Sequence, residues 1–341
     1  MNRNLAIKIV VFLMIAAMIL PALSSFDSCN SSKTSNTQNT STVESKPSIQ
    51  VAVPTASADT AYSLTANQVA FGPRVPNSAA HKACKQWLVK KLKQYGATVE
   101  EQVFAKKAYT GATLNGTNII AKFNPGNARR VMLAAHWDTR HIADKDKDKS
   151  KSTKSFDGAD DGASGVGMLL EIARTLQQNP TEIGVDIVLF DVEDYGDMNG
   201  SGKTETWCLG SQYWAENKGS YNARFGILLD MAGAKNARFG KEGHSREMAP
   251  VLCDKIWKVA QELGHGNYFV NERSDSITDD HYYVNQAGIP MIDIINLSAE
   301  GNFGHYHHTT EDNMSVIDKS TLNAVLQTVL TVLYREDKAV F

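Results

Sequence analysis

The 341-residue sequence predicts an α/β fold, a three-layer sandwich with a central mixed, largely parallel sheet flanked by helices. Three observations lead there. Continuous apolar runs of strand length recur, as in "RVMLAAH" from Arg130. Segments with helical periodicity stand between them. A chain with 42% hydrophobic residues and a net charge of −2 can also bury a large core. Lys+Arg number 35 against 37 Asp+Glu, with no basic stripe, so no nucleic-acid partner is expected.

The elements follow in chain order. Met1 to Leu23 has a short basic start, Arg3 and Lys8, and then the apolar run "IVVFLMIAAMILPAL", which fits an export signal. Residues 29–59, rich in Ser, Thr and Asn, read as a disordered tether. The expected organisation is a signal peptide over 1–28, the tether over 29–59 and a single folded domain over 60–341. Cys29 sits where a lipoprotein carries its acylated cysteine, behind a poor small-residue box, so acylation and simple cleavage both stay open. The expected location is the periplasm, with membrane contact only through such an anchor. Cys84, Cys208 and Cys253 allow at most one disulfide and read as small buried side chains.

Within the domain, Asn77 to Gly96 has a capping start, apolar positions at Ala80, Cys84, Trp87, Leu88 and Leu92, and a glycine stop, which predicts an amphipathic helix. "ATVEEQVFA" and "GTNIIAKFN" alternate as half-buried strands. Strand 130–136 leads to a helix over 163–179, with Val166, Leu169, Leu170, Ala173 and Leu176 on its apolar face. Strand 185–190, a helix near 209–217, strand 225–231, helix 247–263, strand 290–295 and a last helix near 318–335 complete the pattern.

In such a fold the ligand lies beyond the carboxyl ends of the strands. Acids and imidazoles collect at those ends: His136 and Asp138 in "HWD", Asp191, Glu193 and Asp194 in "DVED", and Asp230 in "DMAG". Loops add Asp160 and Asp161 in "GADDGASG" and His305, His307 and His308 in "GHYHHTTEDN". A lone acid at a strand end is an ordinary turn former or helix cap. A cluster of buried acids is different, because each buried ion costs several kcal/mol unless a cation offsets it. The mixture of Asp, Glu and His suits zinc better than calcium or magnesium, which favour all-oxygen shells.

In this order, "AAHWD", "GADDGASG", "FDVED", "LLDMAGA" and "HHTTEDN" resemble the motif series of the zinc-dependent exopeptidases with an aminopeptidase-type, phosphorylase/hydrolase-like fold. Within that superfamily the chain looks most similar to the glutaminyl cyclases, or glutaminyl-peptide cyclotransferases, through "FGPRVPNS", "LLDMAGA" and "TDDHYYVNQAGIP". The likeness runs from about Asn67 to Leu333. It implies an acyltransferase that turns the N-terminal glutamine of peptides or proteins into pyroglutamate, acting as a monomer on one zinc ion. The implied ligands are Asp161, Asp194 and His308. Glu193 is implied as general acid/base, and Asp230 and Asp279 as a hydrogen-bonded carboxylate pair beside the substrate.

A two-zinc aminopeptidase is the alternative, with a second metal held by His136 and Asp230 and bridged by Asp161. Otherwise His136 and Asp138 support the ligands from behind. Candidate walls of the glutamine pocket are Trp207, Trp137, Phe303 and His307. Three positions depart from the family pattern. Asp194 stands where many relatives have Glu, His307 where the animal enzymes have Trp, and Thr278 where they have Gln. "DKDKDKSKSTKS" from Asp144 lacks the glycine and the closing acid of a calcium loop, so it reads as a solvated, mobile rim of the site. "GSGKT" at 200–204 fails as a phosphate loop for want of the first glycine and of a flanking strand and helix.

Overall fold

The computed structural model describes residues 50–198 and 204–341. Its strands are β1 (Thr98–Lys107), β2 (Thr113–Phe123), β3 (Arg130–His136), β4 (Gly184–Phe190), β5 (Gly226–Asp230), β6 (Phe239–Lys241), β7 (Phe269–Arg273) and β8 (Met291–Ile295). Its helices are α1 (Ala58–Val69), α2 (Ala79–Gln94), α3 (Gly165–Gln178), α4 (Leu209–Asn217), α5 (Gly243–Met248), α6 (Pro250–Glu262), α7 (Asp280–Gln286) and α8 (Lys319–Asp337). Six strands form one sheet in the order β1-β2-β4-β3-β5-β8. β4, β3, β5 and β8 run parallel, and β2 is antiparallel to both β1 and β4. β6 and β7 pair separately.

The sheet is covered on both faces, and the strand period decides which residue goes where. Leu133, Ala135, Ile187, Leu189, Ile227 and Leu229 join the core under α1, α2, α3, α6 and α8. Their alternates Met132, Ala134, Val188, Phe190 and Leu228 pack on the other face against Trp214 of α4 and Val284 of α7. The parallel strands β3, β4, β5 and β8 are buried along their whole length, which is why they read as unbroken apolar runs.

The structure departs from the sequence expectation at several elements. Residues 50–59 fall inside the expected tether, yet Ala56 is buried, Val51 and Val53 pack on the core, and Ser57 caps α1 through the Thr60 N–H. The folded part therefore reaches further toward the N-terminus than residue 60; residues 1–49, with the expected signal peptide and Cys29, lie outside the described residues. The expected helix 247–263 is broken into α5 and α6 at Ala249 (φ −136°), because Pro250 disfavours helical geometry in the residue before it. α1, α7, β6 and β7 were not anticipated, nor was the start of α5 at Gly243. Among the described residues no helix is long and apolar enough to cross a membrane. Cys84, Cys208 and Cys253 are buried free thiols.

Candidate active site

The site stands at the carboxyl ends of β3, β4, β5 and β8; His136 and Asp230 are the last residues of β3 and β5, while Asp161, Glu193, Asp194 and His308 reach it through breaks in regular backbone. Ahead of α3, residues 159–164 form a kinked turn in which Asp161 (φ −81°, ψ 91°) and Gly162 (φ +96°) leave helical geometry. Gly162 is required there twice over. Its φ disfavours other residues, and a Cβ would stand 2.8 Å from the Asp138 carbonyl oxygen and 3.0 Å from the His136 ring. The kink aims the Asp161 carboxylate inward. Asp312 secures it by accepting the N–H groups of Asp160 (2.8 Å) and Asp161 (3.1 Å). Asp160 turns away from the site, accepting from Gly233 N (2.8 Å) and the Tyr306 hydroxyl (2.5 Å).

Beyond β4 the chain turns sharply through Val192, a β-branched residue with φ +56°. Two carboxylates hold this turn. Asp191 accepts from Thr117 N (2.6 Å) and Val192 N (2.8 Å) and pairs with His81 Nε2 at 2.8 Å. Asp138 accepts from Glu193 N (3.0 Å) and Asp194 N (3.3 Å). The acids of "DVED" thus divide the work, with Asp191 building the turn that delivers Glu193 and Asp194. Beyond β8, His308 also sits at positive φ (+56°), with Asp144 Oδ1 3.6 Å from its Nδ1.

His308 Nε2 lies 3.1 Å from Asp194 Oδ1 and 3.7 Å from Asp161 Oδ2. Oxygens of both acids, Asp161 Oδ2 and Asp194 Oδ2, are buried without a hydrogen-bond partner. Two desolvated carboxylates with idle oxygens beside an imidazole nitrogen form a donor set suited to a cation, and zinc is the ion that takes such a mixture with one position left open.

His136 Nε2 lies beside this set, 3.1 Å from Asp161 Oδ1 and 3.2 Å from Asp230 Oδ1. Burial works against a charge on His136, but the carboxylates around it prevail and raise its pKa well above the ordinary value. Burial, and then the charge of Asp279, pushes Asp230 up to about 8. Glu193 is raised well above the carboxylate range by burial and by Asp279, Asp194 and Asp280, against the opposing charge of His136. Glu193, Cys208 and Asp279 each bring a side-chain atom within 4.8 Å of the others, and the Cys208 thiol donates to Glu193 Oε1 at 3.2 Å. Asp279 caps α7.

These groups open into a cleft of about 360 Å³. Trp207, Phe303 and His307, all expected as pocket walls, line it. Trp207 stacks parallel to the His308 ring at 6.0 Å, with the Arg140 guanidinium 4.8 Å above its own ring. Trp137 does not reach the cleft. It is fully buried, stacked on His81 at 4.2 Å and bonded through Nε1 to Thr117 O, because strand alternation sends residue 137 to the face opposite His136.

Sequence reasoning missed Arg140, Asp144, Lys145, Cys208 and Asp312. Asp312 lay in the quoted "HHTTEDN", and Arg140 directly follows "HWDT". Only the fold shows that Arg140 bridges Asp144 (2.6 Å) and Asp194 (3.5 Å).

A family model described as peptidase family M28 matches residues 118–333. Among solved structures, the chain is 51% identical to a Zn-dependent exopeptidase from Parabacteroides distasonis, with 83% of this chain and 99% of that one covered and a TM-score of 0.81. It is 50% identical to Bacteroides thetaiotaomicron glutaminyl cyclase bound to N-acetylhistamine, again with 83% and 99% covered and a TM-score of 0.81. A more distant relative, the glutaminyl-peptide cyclotransferase of Drosophila melanogaster, is 25% identical over 275 residues, 73% of each chain. The strand-end cluster of acids and histidines lies within the stretch that the family model spans, and the chain belongs to peptidase family M28.

Proposed function

We propose that the protein is a zinc-dependent glutaminyl-peptide cyclotransferase, converting the N-terminal glutamine of peptides and proteins to pyroglutamate with release of ammonia. The observation that carries this reading is that Glu193, Asp279 and Asp230, the last paired with His136, line one cleft with the Asp161, Asp194 and His308 donor set, in a chain half identical to a glutaminyl cyclase over nearly its whole folded length. Asp161, Asp194 and His308 would hold one zinc ion, which when bound polarises the γ-carbonyl as a Lewis acid.

The chain's own residues account for the rest. The cleft holds the glutamine bent, so that the α-amine and γ-amide of one residue meet, and this orientation supplies much of the advantage. The amine nitrogen bonds to the amide carbon and the bond to the amide nitrogen breaks. Glu193 takes the amine proton and hands it to the departing nitrogen, a task served by a carboxyl that burial and neighbouring acids make more basic than a surface glutamate. Asp230 keeps its proton up to about pH 8 through burial and the charge of Asp279, since crowded buried carboxylates do not both ionise cheaply. Trp207 and Phe303 flank the side chain and exclude water.

The aminopeptidase alternative draws on His136, Asp161 and Asp230, whose ligand atoms lie within 4.8 Å of one another and would suit a second metal. One assay separates the two. Ammonia release from a Gln-initiated peptide, with a product lighter by one ammonia, an inert leucine anilide and one zinc per chain, is the expected result. Anilide cleavage without cyclisation would overturn it. The N-terminal sequence supports export to the periplasm, with acylation of Cys29 and simple cleavage both open.

A further inference from the structure

The lysine-rich loop after β3 is not the free rim that its sequence suggests. Ala143 N donates to Lys154 O (2.7 Å), and Asp144 is clamped by Arg140. Asp146 Oδ2 accepts from both the N–H (3.1 Å) and the hydroxyl (2.6 Å) of Thr310. Lys145 N donates to the carbonyl oxygen of His308 itself (3.2 Å). The loop is therefore registered against the histidine that closes the donor set, and Lys145 has a fixed place at the cleft.

The Lys145 ammonium lies 3.1 Å from His307 Nδ1 and 5.4 Å from the centre of the Phe303 ring, on one wall of the cleft. Among the described residues lining the cleft it is the one cation, facing Asp161, Glu193, Asp194, Asp197, Asp230 and Asp279. Those acids suit the metal and the substrate's amine. They repel any negative charge carried further along the peptide, and Lys145 offsets that repulsion on its own wall. An ammonium has three donors and His307 takes one, so two remain for a ligand. Lys147, Lys149 and Lys154, exposed on the same loop with Asp148 as their one exposed acidic neighbour, extend the positive field outward.

We infer that Lys145 is a specificity residue that reads negative charge on the residue after the N-terminal glutamine, so that the preferred substrates carry Asp or Glu there. This rests on the cyclase reading. With the glutamine amide at the donor set and its amine at Glu193, the rest of the peptide runs outward through the cleft that Lys145, itself exposed beside His307 and Phe303, lines.

The test uses the zinc-loaded protein and three peptides identical except for Glu, Ala or Lys after the glutamine. The expected order of kcat/KM is Glu, Ala, Lys, with Glu over Lys by roughly three- to ten-fold, carried mainly by KM and shrinking in high salt. Lys145→Arg keeps the ratio, Lys145→Met collapses it and Lys145→Glu inverts it. A ratio near one in the native protein, or an unchanged ratio in Lys145→Met, would overturn the inference while leaving the cyclase reading intact. Absence of ammonia release from all three peptides would overturn the cyclase reading and the inference together.

Discussion

Glu193 combines burial, three neighbouring acids and a thiol donor, so its carboxyl is chemically unlike a surface glutamate. Replacing it by Gln keeps the shape and removes the proton acceptor. The expected result is a fall in kcat of about 10² to 10⁴-fold with zinc content unchanged. Full activity in a zinc-loaded Glu193→Gln protein would take the proton transfer away from this residue. Single residues also show where sequence stops being informative. The structure brings Asp161, Asp194 and His308 together, and their meeting was foreseen through the resemblance of the motifs that hold them. Lys145 was not, since one lysine in a run of alternating charges acquires meaning only when backbone contacts fix it to His308. Trp137 misled because its neighbour in sequence, His136, is in the site while the alternation of β3 sends the indole into the core.

Among the elements, those with a clear period were legible and those built from polar or broken segments were not. β3 and β4 are solid apolar runs, and α3 has an apolar stripe. α1 hides its pattern because two of its buried positions are Thr65 and Gln68, the latter donating to Leu64 O and Ala163 O. α5 and α7 are single-turn-scale pieces held by one residue. The fully buried Glu242 accepts from His244 N, Ser245 N and Ile277 N and pairs with His281 Nε2 at 3.0 Å, tying α5 to the segment that presents Asp279. Burial opposes the charge on Glu242, but the His281 bond and the backbone donors prevail and lower its pKa from 4.5 to about 2. A depressed folded pKa means that the carboxylate's contribution to stability is complete above the unfolded value and lost as pH falls through the folded one. Glu242→Gln should therefore cost up to roughly 3 kcal/mol at neutral pH, with the gap to the native protein closing between about pH 4.5 and 2. Equal urea midpoints for the two proteins at pH 7 would show that Glu242 carries no such load.

For the whole molecule, the layer order was legible because strands and helices alternate, and the carboxyl-end rule then put the candidate site at the carboxyl ends of the parallel strands. The position of β2 was not, since antiparallel entry into a parallel sheet leaves no local trace in the sequence. With buried, unpartnered acid oxygens at Asp161 and Asp194, a zinc ion held there would add to the fold's stability. Removing zinc with a chelator should abolish turnover and lower the melting temperature by several degrees, with both restored by stoichiometric zinc. An unchanged melting temperature on complete removal would mean that the cluster neutralises itself by taking up protons.

The outer position of β1 bears on behaviour in crowded solution. Among the described residues β1 pairs with β2 along one side only, so its other side offers a row of backbone donors and acceptors on which a second chain can build, beside a Val103 that is 65% exposed. Glu100, Glu101 and Lys106 on that strand are engaged with Lys122, Lys85 and Glu216. An added strand would have to strip water from these charges and from Lys107, so the edge is guarded by the cost of dehydration. Neutralising those charges would turn the same edge into the place where aggregation begins.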